Sequence, residues 1–164
     1  MQIRNIEDLL REDEAAILAE AVPTTTQLSH YRRDGEEATR RRVRALYRAV
    51  ARAVSARELD GIVAHAGRIA RERFEGGFEQ AEVEAAFAAL EQAIERRALA
   101  RMPKEELAWG LGLVATALGH ARAELGRTFA TLAHASRPGA VDLTSVFRRS
   151  DVGARSAEEL VHPV

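Results

Sequence analysis

Apolar residues recur along this chain at intervals of three and four. Nowhere do they alternate with polar ones between turn signals, so the pattern predicts helices throughout. A first helix is expected from about Asn5 to Glu20, capped by Asn5, with Ile6, Leu9, Leu10, Ile17 and Leu18 on its apolar side. Pro23 and the threonines after it should end that helix, leaving VPTTTQLSHYRRDG at 22–35 as a loop or short irregular turn closed by Asp34 and Gly35. A second helix follows over about Glu36 to Val54, where Val43, Leu46, Tyr47, Val50 and Val54 share one side and basic residues the other. SARE at 55–58 has the form of a capping box and predicts a third helix over 56–74, its stripe running through Leu59, Ile62, Val63, Ala66, Ile69, Ala70 and Arg73. Gly76 and Gly77 offer positive-φ positions at its end. A fourth helix, about 79–100, places Val83, Ala86, Phe87, Leu90 and Ile94 on one face. Pro103 belongs to the first turn of a long fifth helix that reaches about Ala135, with Pro138 and Gly139 to stop it.

The fold class is therefore all-α: a single-domain helical bundle of about five main helices over residues 1–137. A C-terminal tail, 138–164, is expected to be loosely ordered or docked.

The fifth helix raises the sharpest question. Its segment LAWGLGLVATALGHARAELG at 107–126 is apolar on almost every side, yet it is interrupted by four glycines. Leu107, Leu111, Val114, Leu118, Leu125, Phe129 and Leu132 form an ordinary core stripe. Gly112, Thr116, Gly119, Ala123, Gly126 and Ala130 form a second row of small residues, which lets another helix come close. Trp109 and Leu113 lie on a third side. This is more apolar perimeter than a surface helix needs. Two arrangements meet the pattern: a helix at the centre of the fold, or one that gives part of its surface to a partner, a homodimer foremost. The candidate dimer or partner interface is accordingly Trp109, Gly112, Leu113, Thr116, Gly119 and Ala123.

Length and charge narrow the possibilities. A chain of 164 residues buries one good core. It has no cysteine, which removes disulfides, thiolate metal sites and cysteine nucleophiles. MQIRNIEDLLRED does not resemble a signal peptide, and the apolar run Leu107 to Gly119 is too short to span a bilayer, so a cytoplasmic location away from membranes is expected. The formal net charge of −1 gives no drive toward nucleic acid. Lys104 is the only lysine among 24 basic residues, a bias that matches a GC-rich coding background and lowers the weight of arginine clusters.

No constellation for catalysis emerges. Arg40, Arg44, Arg48 and Arg52 recur every fourth residue, with Arg32, Arg33, Arg41 and Arg42 nearby. They suit either a phosphate or acidic-protein site or a solvated face answered by Glu7, Asp8, Glu12, Asp13 and Glu14, and the near-neutral balance favours the latter. His120 and Glu124 are spaced to share a metal, but two ligands do not make a site, and the chain lacks the two Glu-x-x-His pairs of the helical di-iron signature, its single one being Glu159 and His162 in the tail. His65 sits at the edge of an apolar stripe, and His30, His134 and His162 fall in a loop, at a helix end and in the tail. There is no Gly-x-Ser-x-Gly elbow, P-loop or dinucleotide fingerprint. The chain reads as a protein without enzymatic activity, cofactor or metal.

The stretch HAGRIARERFEGGFEQAEVEAAFAALEQAIERRAL at 65–99 resembles the N-terminal sensory domain of RsbR-type stressosome proteins and related helical input domains of bacterial histidine kinases. The likeness rests on Arg71, Arg73, Gly76, Gly77 and Phe78, then Glu82, Val83, Phe87 and Leu90, and on IEDLLREDEAAILAEAV near the start, and it covers about residues 3–135. The family's frequent tryptophan at the end of the first helix is replaced here by Val22 and Pro23. The resemblance implies a globin-like fold without haem, dimerisation, and a role in signal input or stress response. No output domain follows, so action by contact with another protein is implied.

The leading expectation is a non-enzymatic bacterial regulatory domain, homodimeric, which binds a protein partner of a signalling pathway or a small ligand. One alternative is a helical carrier of haem, lipid or tetrapyrrole. Another is an adaptor whose tail docks through Leu143, Val146 and Phe147 on one face of a helix.

Overall fold

The computed structural model describes residues 2–137. These form α1 (Ile6–Glu12), α2 (Glu14–Thr26), α3 (Ser29–Asp34), α4 (Glu36–Ala56), α5 (Asp60–Glu75), α6 (Gln80–Arg101) and α7 (Lys104–Ala135), and no strand occurs among the described residues. The chain is an all-α helical bundle. None of its described helices is long and apolar enough to cross a membrane.

What reads as one helix over 5–20 is two. Asn5 caps α1 as expected, its side chain accepting from the Asp8 N–H at 2.9 Å. Asp13 then interrupts the helix with φ −105° and ψ 16°. Its buried carboxylate accepts from Arg97 at 2.6 Å and Arg101 at 2.5 Å, so the break carries an anchor to α6.

The expected stop at Pro23 does not occur. α2 runs through the proline to Thr26, and the hydroxyls of Thr24, Thr25 and Thr26 each donate to the carbonyl four residues back, on Glu20, Ala21 and Val22. Their apolar neighbours Ala21 and Val22 and Thr25 itself are buried, so packing holds this turn although Pro23 supplies no N–H to it. The expected loop 22–35 is likewise mostly helical. It closes with α3 and with Gly35 at φ 96°, a left-handed position suited to glycine.

The capping box at SARE does not form. The buried stripe of α4 continues through Ala53 and Val54, and Ser55 and Ala56 are simply its last turn. Arg57 takes the left-handed conformation, and the Glu58 N–H donates back to the Ala53 carbonyl at 3.2 Å. Glu58 caps through its own carboxylate, accepting from the Asp60 N–H at 2.5 Å, and α5 starts there. A reciprocal box does form at α6, between Glu79 and Glu82.

α4 packs against α1, α2, α3, α5 and α6, and α6 against α1, α2 and α4. Val43, Leu46, Tyr47, Val50 and Val54 are all buried as their spacing predicts. The Tyr47 hydroxyl donates to the Leu10 carbonyl at 2.5 Å. Burial, then the Glu14 and Asp13 carboxylates, push its pKa well above the usual phenol range. The longest stretch without an exposed residue among the described residues lies in α6, from Glu82 to Glu91. The hydrophobic core lies within residues 1–132.

Candidate functional site

α7 is a surface helix with two unlike apolar sides. Inward, Val114, Leu118, Leu125 and Phe129 are buried, with Leu107, Leu111 and Leu132 half-buried along the same stripe. Phe129 meets Phe74 of α5 edge-on, ring centroids 5.9 Å apart. Gly110 has a packing reason: a Cβ there would lie 2.9 Å from Cβ of Ile6 and 3.0 Å from Cε of Met102, so only glycine lets α1 approach.

Outward, the central-helix arrangement fails. Trp109 is 63% exposed, and Gly112, Thr116, Gly119 and Ala123 are exposed with it, while Leu113 is half-buried against the core edge. Among the described residues nothing lies within 4 Å of a Cβ placed on Gly112 or Gly119. These two glycines weaken the helix by about 1 kcal/mol each relative to alanine, and no contact among the described residues accounts for them. Thr116 folds its hydroxyl onto the Gly112 carbonyl at 2.8 Å, which leaves its methyl as the outward group. No ionised side chain interrupts the sequence from Leu107 to Ala121, apart from the titratable His120. The face is therefore uncharged, smooth and marked by a single aromatic.

Other candidates are placed elsewhere. Glu124 is engaged by Arg127 at 2.8 Å rather than shared with His120, and among the described residues no three metal-ligating side chains gather. Of the α4 arginines, Arg40 pairs with Glu36 at 3.0 Å and Arg48 with Glu14 at 3.4 Å, whereas Asp13 turns to α6. Leu143, Val146 and Phe147 lie outside the described residues.

The α5–α6 junction forms a clasp. Gly77 takes the left-handed conformation at φ 82° while Gly76 stays helical, and the Phe78 N–H donates to the Arg73 carbonyl at 2.9 Å. The guanidiniums of Arg33, Arg42 and Arg73 lie 5.4–5.6 Å from the buried Phe78 ring, and Tyr31 meets it edge-on at 4.9 Å. His30, in α3 rather than a loop, gives its backbone N–H to Glu82 at 3.1 Å and places Nδ1 2.5 Å from the same carboxylate. Burial pushes the Glu82 carboxyl up, but the bonds from the His30 backbone and ring and the Glu79 N–H outweigh it and hold the carboxyl below its ordinary range. Bonds from Arg33 and Arg42 likewise lower Asp34 against the opposing effect of burial. The clasp joins α3, α4, α5 and α6; it presents no nucleophile.

Sequence reasoning does not bring together Arg52 of α4 with Gly61, His65 and Arg68 of α5, which line a hollow of about 350 Å³. Periodicity assigns each to its own helix and carries no signal for their meeting. Compared with protein families, curated proteins and solved structures, the chain matches none of them.

Proposed function

We propose that this chain is a non-enzymatic regulatory module that works as a homodimer through the outward face of α7. The observation that carries the reading is the exposure of Trp109 together with the open glycines 112 and 119 on a face without ionised groups. Small residues let two helix axes approach closely. A twofold axis would place each Trp109 against its partner's face, burying the aromatic that solvent otherwise meets. The likeness of residues 65–99 to sensory domains of RsbR-type proteins supports a role in signal input, with output through a further protein. Sedimentation velocity across a concentration series tests this. The wild-type chain should sediment as a dimer, and Trp109→Glu with Ala123→Glu should give a folded monomer, because both positions are exposed and neither supports the core. A wild-type monomer at every concentration would overturn the proposal.

A further inference from the structure

The hollow between α4 and α5 differs chemically from the α7 face. Its floor is apolar, formed by residues such as Ala53 and Ile62, and Gly61 lines it with nothing among the described residues within 4 Å of where a Cβ would stand. Its rim holds Arg52, Arg68, His65 and Glu58. Many arginines of the chain have acidic partners, for example Arg48 with Glu14 and Arg57 with Glu7. Arg52 and Arg68 have no carboxylate partner among the described residues, although both flank the same hollow. Glu58 is committed to the Asp60 N–H at the start of α5. Two guanidinium charges against one carboxylate leave the rim with an excess of one positive charge when His65 is neutral. Burial, then the positive charges of Arg68, Arg73 and Arg52, with Glu72 opposing, hold His65 below its ordinary pKa, so at neutral pH it offers one ring N–H rather than a second charge.

We propose that this hollow binds a small amphiphilic monocarboxylate, its head held by Arg52 and Arg68 and its apolar body laid over Ala53 and Ile62. The guanidinium fork suits a planar carboxylate, and the excess charge suits a monoanion. A volume of about 350 Å³ falls within the range of small-molecule sites. At roughly 30 Å³ for each water-sized group it holds on the order of ten heavy atoms, which matches a medium-length aliphatic acid. The site is independent of the dimer proposal, since none of its residues belongs to α7.

Sodium octanoate is the probe. Titrated into the full chain at low ionic strength and followed by calorimetry and by the His65 ring-proton shift, it should occupy one saturable site and move that resonance. Arg52→Gln with Arg68→Gln should weaken binding by about tenfold or more. Gly61→Leu, which favours helix while filling the open space, should abolish it. Acetate lacks the body and 1-octanol lacks the charge, so each should bind about tenfold more weakly than octanoate. Circular dichroism melts should show neither variant to be less stable than the wild type, which separates loss of the site from loss of the fold. Absence of saturable binding, equal affinity in the two variants, or equal binding of acetate or octanol would overturn the proposal.

Discussion

α6 and α7 follow one another across Met102 and Pro103, and their outward sides are built in opposite ways. Where α6 reaches solvent it carries Gln92, Glu95, Arg96 and Arg101, and its arginines bind back: Arg96 to Glu20, Arg97 and Arg101 to Asp13. Leu99 is exposed there without exposed apolar neighbours other than alanine, a normal feature of protein surfaces. α7 instead turns Trp109, Gly112, Thr116, Gly119 and Ala123 outward with no ion pair among them. A helix that only needs solubility is served by the first solution. The second leaves apolar area and weakens the helix, which a neighbouring surface would offset.

The contrast can be tested by substitution, beginning with the enclosed helix. Phe87→Ala in α6 should cost roughly 3–5 kcal/mol, read as a lowered urea midpoint, because the ring is fully buried. Gly110→Ala forces a methyl against Ile6 and Met102 and should destabilise by roughly 1–3 kcal/mol despite the better helix propensity of alanine. Gly112→Ala and Gly119→Ala should do the reverse. In chain diluted to monomer each should stabilise by up to about 1 kcal/mol, while the concentration needed for dimerisation rises. Trp109→Ala should leave monomer stability within about 0.5 kcal/mol, measured by the same unfolding curves.

The smallest expected effect concerns pH. Glu82 has a folded pKa below its unfolded value, so its contribution is present above the ordinary carboxylate range and is lost as pH falls through the folded value. Acid should therefore lower the melting temperature, and Glu82→Gln should flatten that dependence. The outward face of α7 bears no carboxylate between Glu106 and Glu124, so self-association measured over the same acidic interval should change less than the melting temperature.

Much of the bundle is legible where a long apolar stripe sets the helix. α4, α6 and α7 have the stripes their spacing predicts, because burial of Val50, Leu90 or Leu118 decides the matter regardless of the neighbours. The departures occur where side chains compete with backbone rules. Burial of Ala21, Val22 and Thr25 around Pro23 accompanies the continuation of α2 past it, and the ion pairs of Asp13 accompany a break that no glycine or proline marks. The capping pattern points to Ser55, although the box forms at Glu79, whose glutamate is not among the preferred cap residues. Within α7, periodicity finds the small-residue row but not which side of it meets the core. The separation of Gly110 from Gly112 depends on α1 lying against one of them. The hollow joins Arg52 to residues beyond the next turn of chain, a relation that no spacing encodes.

The chain has one tryptophan, and it stands on the outward face of α7, so its fluorescence reports directly on whether a second copy covers that face. Emission and acrylamide quenching of Trp109 should be followed as the wild-type chain is concentrated. Dimerisation through α7 should shift the emission to shorter wavelength and increase protection from the quencher, with both changes absent in Gly119→Glu. Red-shifted, freely quenched emission at every concentration would show that no second copy covers this face, and the homodimer reading would fall with it.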